Sequence, residues 1–239
     1  MSTKWINTLK GLVLVGLSLF LANAIINGTL LFYINRRFTW LTGLSIILLL
    51  LMASTYRRTG HDHDHRHHHA RENAWTALAL VALPLLLGLL VPPRPLGAQA
   101  VGVRKANTDG VGLSADETAL ARASVERNIL DWLRAFNAAG DPSAFTGQEA
   151  RVIGFVYRDE TFAADQFMVS RFVVSCCVAD AAALGLVVAW PDSANLPLDA
   201  WVAVQGTFRP GQFGGEPTPI LSADHVTPTQ PPNQLYLYP

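Results

Sequence analysis

His61-Asp62-His63-Asp64-His65-Arg66-His67-His68-His69 holds six of the chain's seven histidines in nine residues. It divides two runs apolar enough to be membrane helices, so its reading as a loop between spans sets the architecture. Neutral imidazoles and carboxylates both ligate borderline divalent metals, and alternating them on a loop lets several reach one ion. His61, His63, His65, His67, His68 and His69, with Asp62 and Asp64, are therefore candidate metal ligands, in keeping with the composition of His-rich metal-binding tracts. The plainer reading, a solvated connector, stays open because nothing in the spacing fixes a tetrahedral geometry.

Upstream, Lys4 and Lys10 precede a first apolar run of about residues 12–31. Some 20 apolar residues at about 1.5 Å each cross the hydrocarbon core. Ala22-Asn23-Ala24 imitates a signal-peptide cleavage site, but the apolarity continues through Ile25, Ile26 and Leu30, which favours an uncleaved helix. Asn23 and Asn27, four apart, share one face and are expected to look into a helix bundle. A second span of about 38–56 is bracketed by Trp40 and Tyr56 as interfacial aromatics. The third, about 75–91, opens at Trp75 and carries Pro84, which removes a backbone donor and kinks a helix.

With three spans, Lys4, Lys10, Arg57, Arg58, Arg66 and Arg71 fall on one side, and Arg36, Arg37 and Arg94 near the helix ends on the other. The excess of basic residues places the histidine loop in the cytoplasm and the C-terminal half outside it, in a multi-pass cell-membrane protein.

Downstream the composition turns soluble. Half of the 239 residues are apolar and only 15% are charged, against roughly 25% in ordinary soluble domains, and the long Leu, Ile, Val and Ala runs lie before residue 92. Residues 92–144 read as a linker, stiffened at Pro92-Pro93-Arg94-Pro95. Within it Ser114 and Glu117 form a capping box, and Val125, Ile129, Trp132, Leu133 and Phe136 line one face of an amphipathic helix over about 115–137. From Phe145 the period becomes two. Residues 151–158, 166–175, 186–190, 201–208 and 219–226 read as strands, with Pro210-Gly-Gln among the breaks. A small all-β domain over 145–227 follows, an OB-like five-stranded barrel, with a sandwich as the other solution. Residues 228–239 read as a loose Pro-rich tail.

The two cysteines, Cys176 and Cys177, are adjacent, which excludes a disulfide framework. A bond between neighbours is disfavoured because their Cα atoms are about 3.8 Å apart, below the usual window. On an extended segment their side chains point to opposite faces, one buried and one exposed. Three readings of Cys176, Cys177 and Asp180 remain: core packing with a turn-capping aspartate, a partial metal site with His225 as the candidate fourth ligand, and thiol redox work, which wants a C-x-x-C spacing or a basic neighbour. Zn²⁺ or another divalent transition metal is the cofactor class these residues admit; no other cofactor is expected.

In order, the chain runs through an apolar helix, Tyr33-Ile-Asn35, a second helix, the His/Asp loop, a third helix with an internal proline, and a β-domain. That domain carries Gly154-Phe155-Val156-Tyr157 and Arg171-Phe172 through Cys176-Cys177-Val-Ala-Asp180. This resembles the bacterial permease-subunit family, the smaller partner of a two-component membrane permease complex. The resemblance implies a larger polytopic permease as partner, besides the lipid bilayer, and carries over no catalytic residue. Family members often have cysteines in the His/Asp loop, and this chain has none there. A net charge of zero gives a nucleic-acid partner no electrostatic support, and no P-loop, Rossmann or hydrolase motif points to an enzyme. The expected function is an accessory permease subunit whose extracytoplasmic β-domain docks or binds. The alternative is a metal-handling sensor or chaperone using the histidine loop.

Overall fold

A computed structural model describes residues 3–58, 72–104 and 123–239, which fall into two compact units, Met1–Pro95 and Leu96–Pro239. The histidine loop, all eight of its candidate ligands, and the Ser114–Glu117 capping box lie outside the described residues.

The first unit holds α1 (Thr3–Ile26), α2 (Thr39–Arg58) and α3 (Glu72–Leu90), with α1 packed against both others. Small residues set the approach. Gly11 lies against Ala53 and Tyr56 of α2, Gly16 against Leu85 of α3, and a side chain at Gly88 would strike the Phe20 ring. Little is buried: Ile6, Leu14, Ser18, Ala53 and Leu78 face inward, while Leu12, Leu19, Ile47, Leu51, Leu80, Leu86 and Leu90 are exposed. Helices that turn most of their leucines outward do not form a soluble core; such a surface needs an apolar medium or partner. Two stretches, Trp5–Ile26 and Arg36–Tyr56, are long and apolar enough to cross a membrane, and the apolar part of α3, Leu78–Leu90, is shorter. α3 runs through Pro84.

Asn23 and Asn27 line an open groove shared with Leu87 and Gly88 of α3; both are solvent-exposed there, and they satisfy each other, Asn27 Nδ2 donating to Asn23 Oδ1 at 2.9 Å. An amide pair four residues apart meets its own hydrogen-bonding needs and requires no neighbouring helix.

The second unit is built on five strands: β1 (Glu149–Tyr157), β2 (Gln166–Val173), β3 (Ala182–Ala189), β4 (Trp201–Phe213) and β5 (Glu216–Pro228). The sheet order is β1-β2-β3-β5-β4, with β4 pairing back onto β1. All pairs are antiparallel except β3–β5, which meet in parallel at Val188↔Leu221 and Ala189↔Ser222. β4 serves two neighbours by bending at a bulge between Gln205 and Gly206. Only glycine fits there, since a Cβ at Gly206 would lie 2.0 Å from the Ser222 carbonyl oxygen. Pro210 does not break the strand as expected from sequence. It pairs with Pro219, so a missing donor faces a missing donor, and the turn falls instead at Gly214-Gly215, both at positive φ.

Helix α5 (Ile129–Ala139) packs Ile129, Trp132, Leu133 and Phe136 on the inward residues of the sheet. The Trp132 and Phe208 rings sit 4.7 Å apart, as do Phe136 and Phe145. The helix expected over 115–137 is not helical at 123–128. Asn128 caps it in a reciprocal box with Asp131, and Val125, expected on the apolar face, is exposed in a short 3₁₀ turn before the cap.

The linker and tail expectations also change. Within the supposed linker, α4 (Ala98–Arg104) buries Ala98 and Val101 against Phe155, Phe172 and Val174, and Asp199 accepts a hydrogen bond from the Ala98 amide. The tail is held as well. Tyr236 and Leu237 are buried, and Leu237 bridges Val173. Its anchor is Arg171, itself buried, whose guanidinium donates to the Leu235 carbonyl at 3.0 Å and to those of Gln234 and Ile153 while lying 5.3 Å from the Trp201 ring. Burial lowers its pKa to about 10, so it is charged at neutral pH. Because α4 and the tail cover one face of β2, both faces of that strand are buried and its pattern is a run rather than an alternation.

Hydrogen bonds to a charged donor contribute about 1.5–3 kcal/mol each. Arg171→Ala should therefore destabilise the second unit by at least about 2 kcal/mol, and the Leu237 amide should lose hydrogen-exchange protection before the strands do. Unchanged protection at Leu237 would show that something other than the guanidinium holds the tail.

Candidate functional site

β2 ends at Val173, and the chain turns before β3 begins at Ala182. Buried Val174 and Ala181 bracket this turn, and Val174 donates its amide to the Leu237 carbonyl at 3.0 Å. Between them stand Ser175, Cys176 and Cys177 and a 3₁₀ turn, Val178–Asp180. Asp180 folds back on the residues before it. Its Oδ1 accepts the Ser175 amide at 2.9 Å, and its Oδ2 accepts the Cys176 amide at 2.7 Å and the Cys177 amide at 3.4 Å. An aspartate bonding nearby amides is the ordinary chemistry of such turns.

The turn changes the placement of the thiols. Alternation on a strand would have sent them to opposite faces. Here neither is buried, Cys176 being exposed and Cys177 half-buried, and the sulfurs lie 3.7 Å apart as free thiols. The residues have left the strand, so the two-residue alternation no longer applies. One ligand atom from each of Cys176, Cys177 and Asp180 lies within 4.8 Å of the other two. His225 is elsewhere: it stands exposed on β5, paired with Gln205.

The electrostatics follow from the contacts. The Asp180 carboxylate, as hydrogen-bond acceptor, holds the Cys176 thiol in its protonated form and pushes its pKa up to about 11, with Cys177, slight burial and the neighbouring negative charge adding to the effect. Burial pulls the Asp180 carboxyl up, but the Cys176 thiol and the three amides outweigh it, and the carboxyl titrates below its ordinary 3.8. A depressed folded pKa stabilises the fold above the unfolded value and loses that contribution as pH falls through the folded one. The turn is therefore weakened by acid only below about 3.8.

Residues 9–107 match the family model described as the DUF1980 N-terminal domain, and residues 124–239 match the DUF1980 C-terminal domain. The chain belongs to the DUF1980 family. The C-terminal DUF1980 match contains the whole β-domain, Arg171, the Cys176–Asp180 turn and the tail. A Streptococcus mutans protein described as "Putative two-component membrane permease complex subunit" is 23% identical over 254 residues, covering 89% of this chain and 92% of its own. The Bacillus subtilis "UPF0703 protein YcgQ" is 24% identical over 99 residues, 41% of this chain; the match spans about a third (35%) of that relative's own length.

In the sequence Arg171 stands out only as part of the Arg171-Phe172 stretch, and its anchoring role does not show there. The available signal was a lone arginine inside Phe167-Met-Val-Ser-Arg-Phe-Val, since a charge amid such residues needs partners when buried.

Asp180→Asn removes the negative charge beside Cys176 and keeps the side-chain shape. Returning the thiol from about 11 toward the ordinary value of 9.0 raises the thiolate fraction at pH 8 about a hundredfold, and the lower nucleophilicity of a less basic thiolate takes back about tenfold. Alkylation of Cys176, followed by peptide mass spectrometry, should therefore quicken about tenfold; an unchanged rate would show that the carboxylate does not hold the thiol proton.

Proposed function

We propose that this chain is the smaller, non-catalytic subunit of a two-component membrane permease complex, with three membrane spans and an OB-type barrel outside the cytoplasm. The observation that carries this reading is the likeness to the Streptococcus mutans protein across nearly the full length of both chains. The helices support it. Between Leu12 and Leu31, Phe38 and Tyr56, and Trp75 and Val91 there is no Asp, Glu, Lys, Arg or His. Transport pathways place such groups at mid-membrane so that a polar solute can exchange its hydration. A chain without them supports a conduit built by another subunit.

The small residues sort into two sets. Gly11, Gly16 and Ser18 are consumed by contacts within the first unit, whereas Gly43 on α2 has nothing within 4 Å of its notional Cβ and Ser45 is exposed. The outer face of α2 is where we place the permease helix, since a small residue lets two backbones approach closely. The third span is α3, whose 19 residues reach about 28 Å.

The OB assignment rests on five strands in the order β1-β2-β3-β5-β4 with one parallel pair. OB barrels bind oligonucleotides on the face of strands 2 and 3. Here α4 and the tail pack over Phe155, Phe172 and Ala183, which favours docking over nucleic-acid binding. The second reading, metal handling, draws support from the convergence of Cys176, Cys177 and Asp180.

Two experiments test the proposal. A mild-detergent pull-down of the full chain should recover a polytopic membrane protein, and Gly43→Leu should reduce its recovery; recovery of this chain alone as monomer or homo-oligomer removes the subunit reading. For orientation, single cysteines at His65 and Glu216 in a Cys176→Ser/Cys177→Ser background are exposed to an impermeant label on intact cells. Labelling at 216 and not at 65 is expected, and the reverse pattern inverts the topology.

A further inference from the structure

We infer that Cys176 Sγ, Cys177 Sγ and an Asp180 carboxylate oxygen form a site for a soft divalent cation of the Zn²⁺ or Cd²⁺ kind, with three protein ligands and a fourth position open to solvent. The inference goes beyond the permease reading and does not depend on it, since failure of the pull-down would leave the site standing and loss of the site would leave the partner.

The first argument is the bite. Two thiolates at about 2.3 Å from a tetrahedral zinc lie about 3.8 Å from each other. The two sulfurs here are 3.7 Å apart, so an ion can bridge them with little rearrangement. Adjacent cysteines on a strand could not offer this, because their side chains diverge; leaving β2 two residues earlier is what turns both thiols to one side. They are also free thiols, not a disulfide.

The second argument is the capacity of the carboxylate. An ionised aspartate has about four acceptor positions. Oδ1 takes one amide, from Ser175, and Oδ2 takes two, from Cys176 and Cys177. The carboxylate also accepts a hydrogen bond from the Cys176 thiol, whose proton leaves when the metal binds, so an acceptor position is free for the ion, and the amides that hold the carboxylate fix it within 4.8 Å of both sulfurs. Preorganisation extends outward: the turn is bracketed by buried Val174 and Ala181 and tied through Leu237 to the tail that Arg171 anchors. Ligands held by rigid supporting contacts bind without paying to be ordered.

The third argument is softness. Thiolates select Zn²⁺, Cd²⁺ and similar ions over Mg²⁺ and Ca²⁺, which want an all-oxygen shell. Binding replaces two S–H bonds with two metal–sulfur bonds and releases the thiol protons, up to two, to solvent. Three ligands on one side of an exposed turn leave the fourth position to water or an incoming donor, as in zinc sites that exchange a ligand rather than the closed sites that only brace a fold. Such a site suits taking up and passing on an ion.

The test uses the full chain in detergent with Cd²⁺ as probe, because thiolate-to-metal charge-transfer absorption reports sulfur ligation alone and ignores ions held by the histidine loop. One equivalent should develop the band. Cys176→Ser and Cys177→Ser should each weaken binding at least about tenfold, no less than loss of a supporting group typically costs, with circular dichroism unchanged. A second measurement needs no variant: Zn²⁺ or Cd²⁺ should protect both thiols of the wild-type chain from alkylation. Absence of the band or of protection in the wild-type chain, or a full-affinity band in either serine variant, overturns the inference.

Discussion

A guanidinium taken out of water must find acceptors, and among the described residues Arg171 finds them in the backbone carbonyls of Ile153, Leu235 and Gln234. That requirement reaches further than one side chain. It draws the C-terminal residues onto β2, and once Leu237 is there it exchanges hydrogen bonds with Phe172 and Val174 on the strand's last residues and just beyond. Those bonds fix where β2 stops, hence where the Ser175–Asp180 turn begins and how its thiols are directed. The Trp201 ring beside the guanidinium closes the arrangement from β4. A charge on β2 beneath the covering tail thus governs the geometry of an exposed cluster several residues away.

The two units answer to different solvents. The β-domain follows the logic of water: its aromatic interior of Trp132, Phe136, Phe145 and Phe208 is closed off by α5. The helical unit inverts this logic. Its contacts are made by glycines and a serine, and its leucines look outward, which is sensible only where hydrocarbon or another helix meets them.

What could be read from the residues and what could not divides along the same physical line. Apolar length, the change of period at Phe145 and the face Ile129–Trp132–Leu133–Phe136 are properties of side chains in order, and they carry the helical half and the β-domain. The tail was misread because its partners are carbonyls, which every residue has and no sequence displays. α4 was missed because Ala98 and Val101 are too small to announce a buried face. Pro210 looked like a terminator because the proline opposite it, Pro219, is known only from the register. At the candidate site, the adjacency of the cysteines was plain, but their common direction depends on a turn that Asp180 builds from three amides.

The narrow parallel seam between β3 and β5 has a temporal meaning. β1, β2 and β3 are joined by short connections and can pair as soon as they exist, whereas the seam rests on two residue pairs contributed by a strand that arrives over thirty positions later. Loop-closure entropy is repaid there by little hydrogen bonding, so the seam forms after the β4–β5 hairpin, whose long register and Gly214-Gly215 turn are local. Until that moment β3 has an open edge and the interior is accessible to water. Of all the joins in the ring this seam has the fewest register pairs, two, against three between β1 and β2 and seven between β1 and β4.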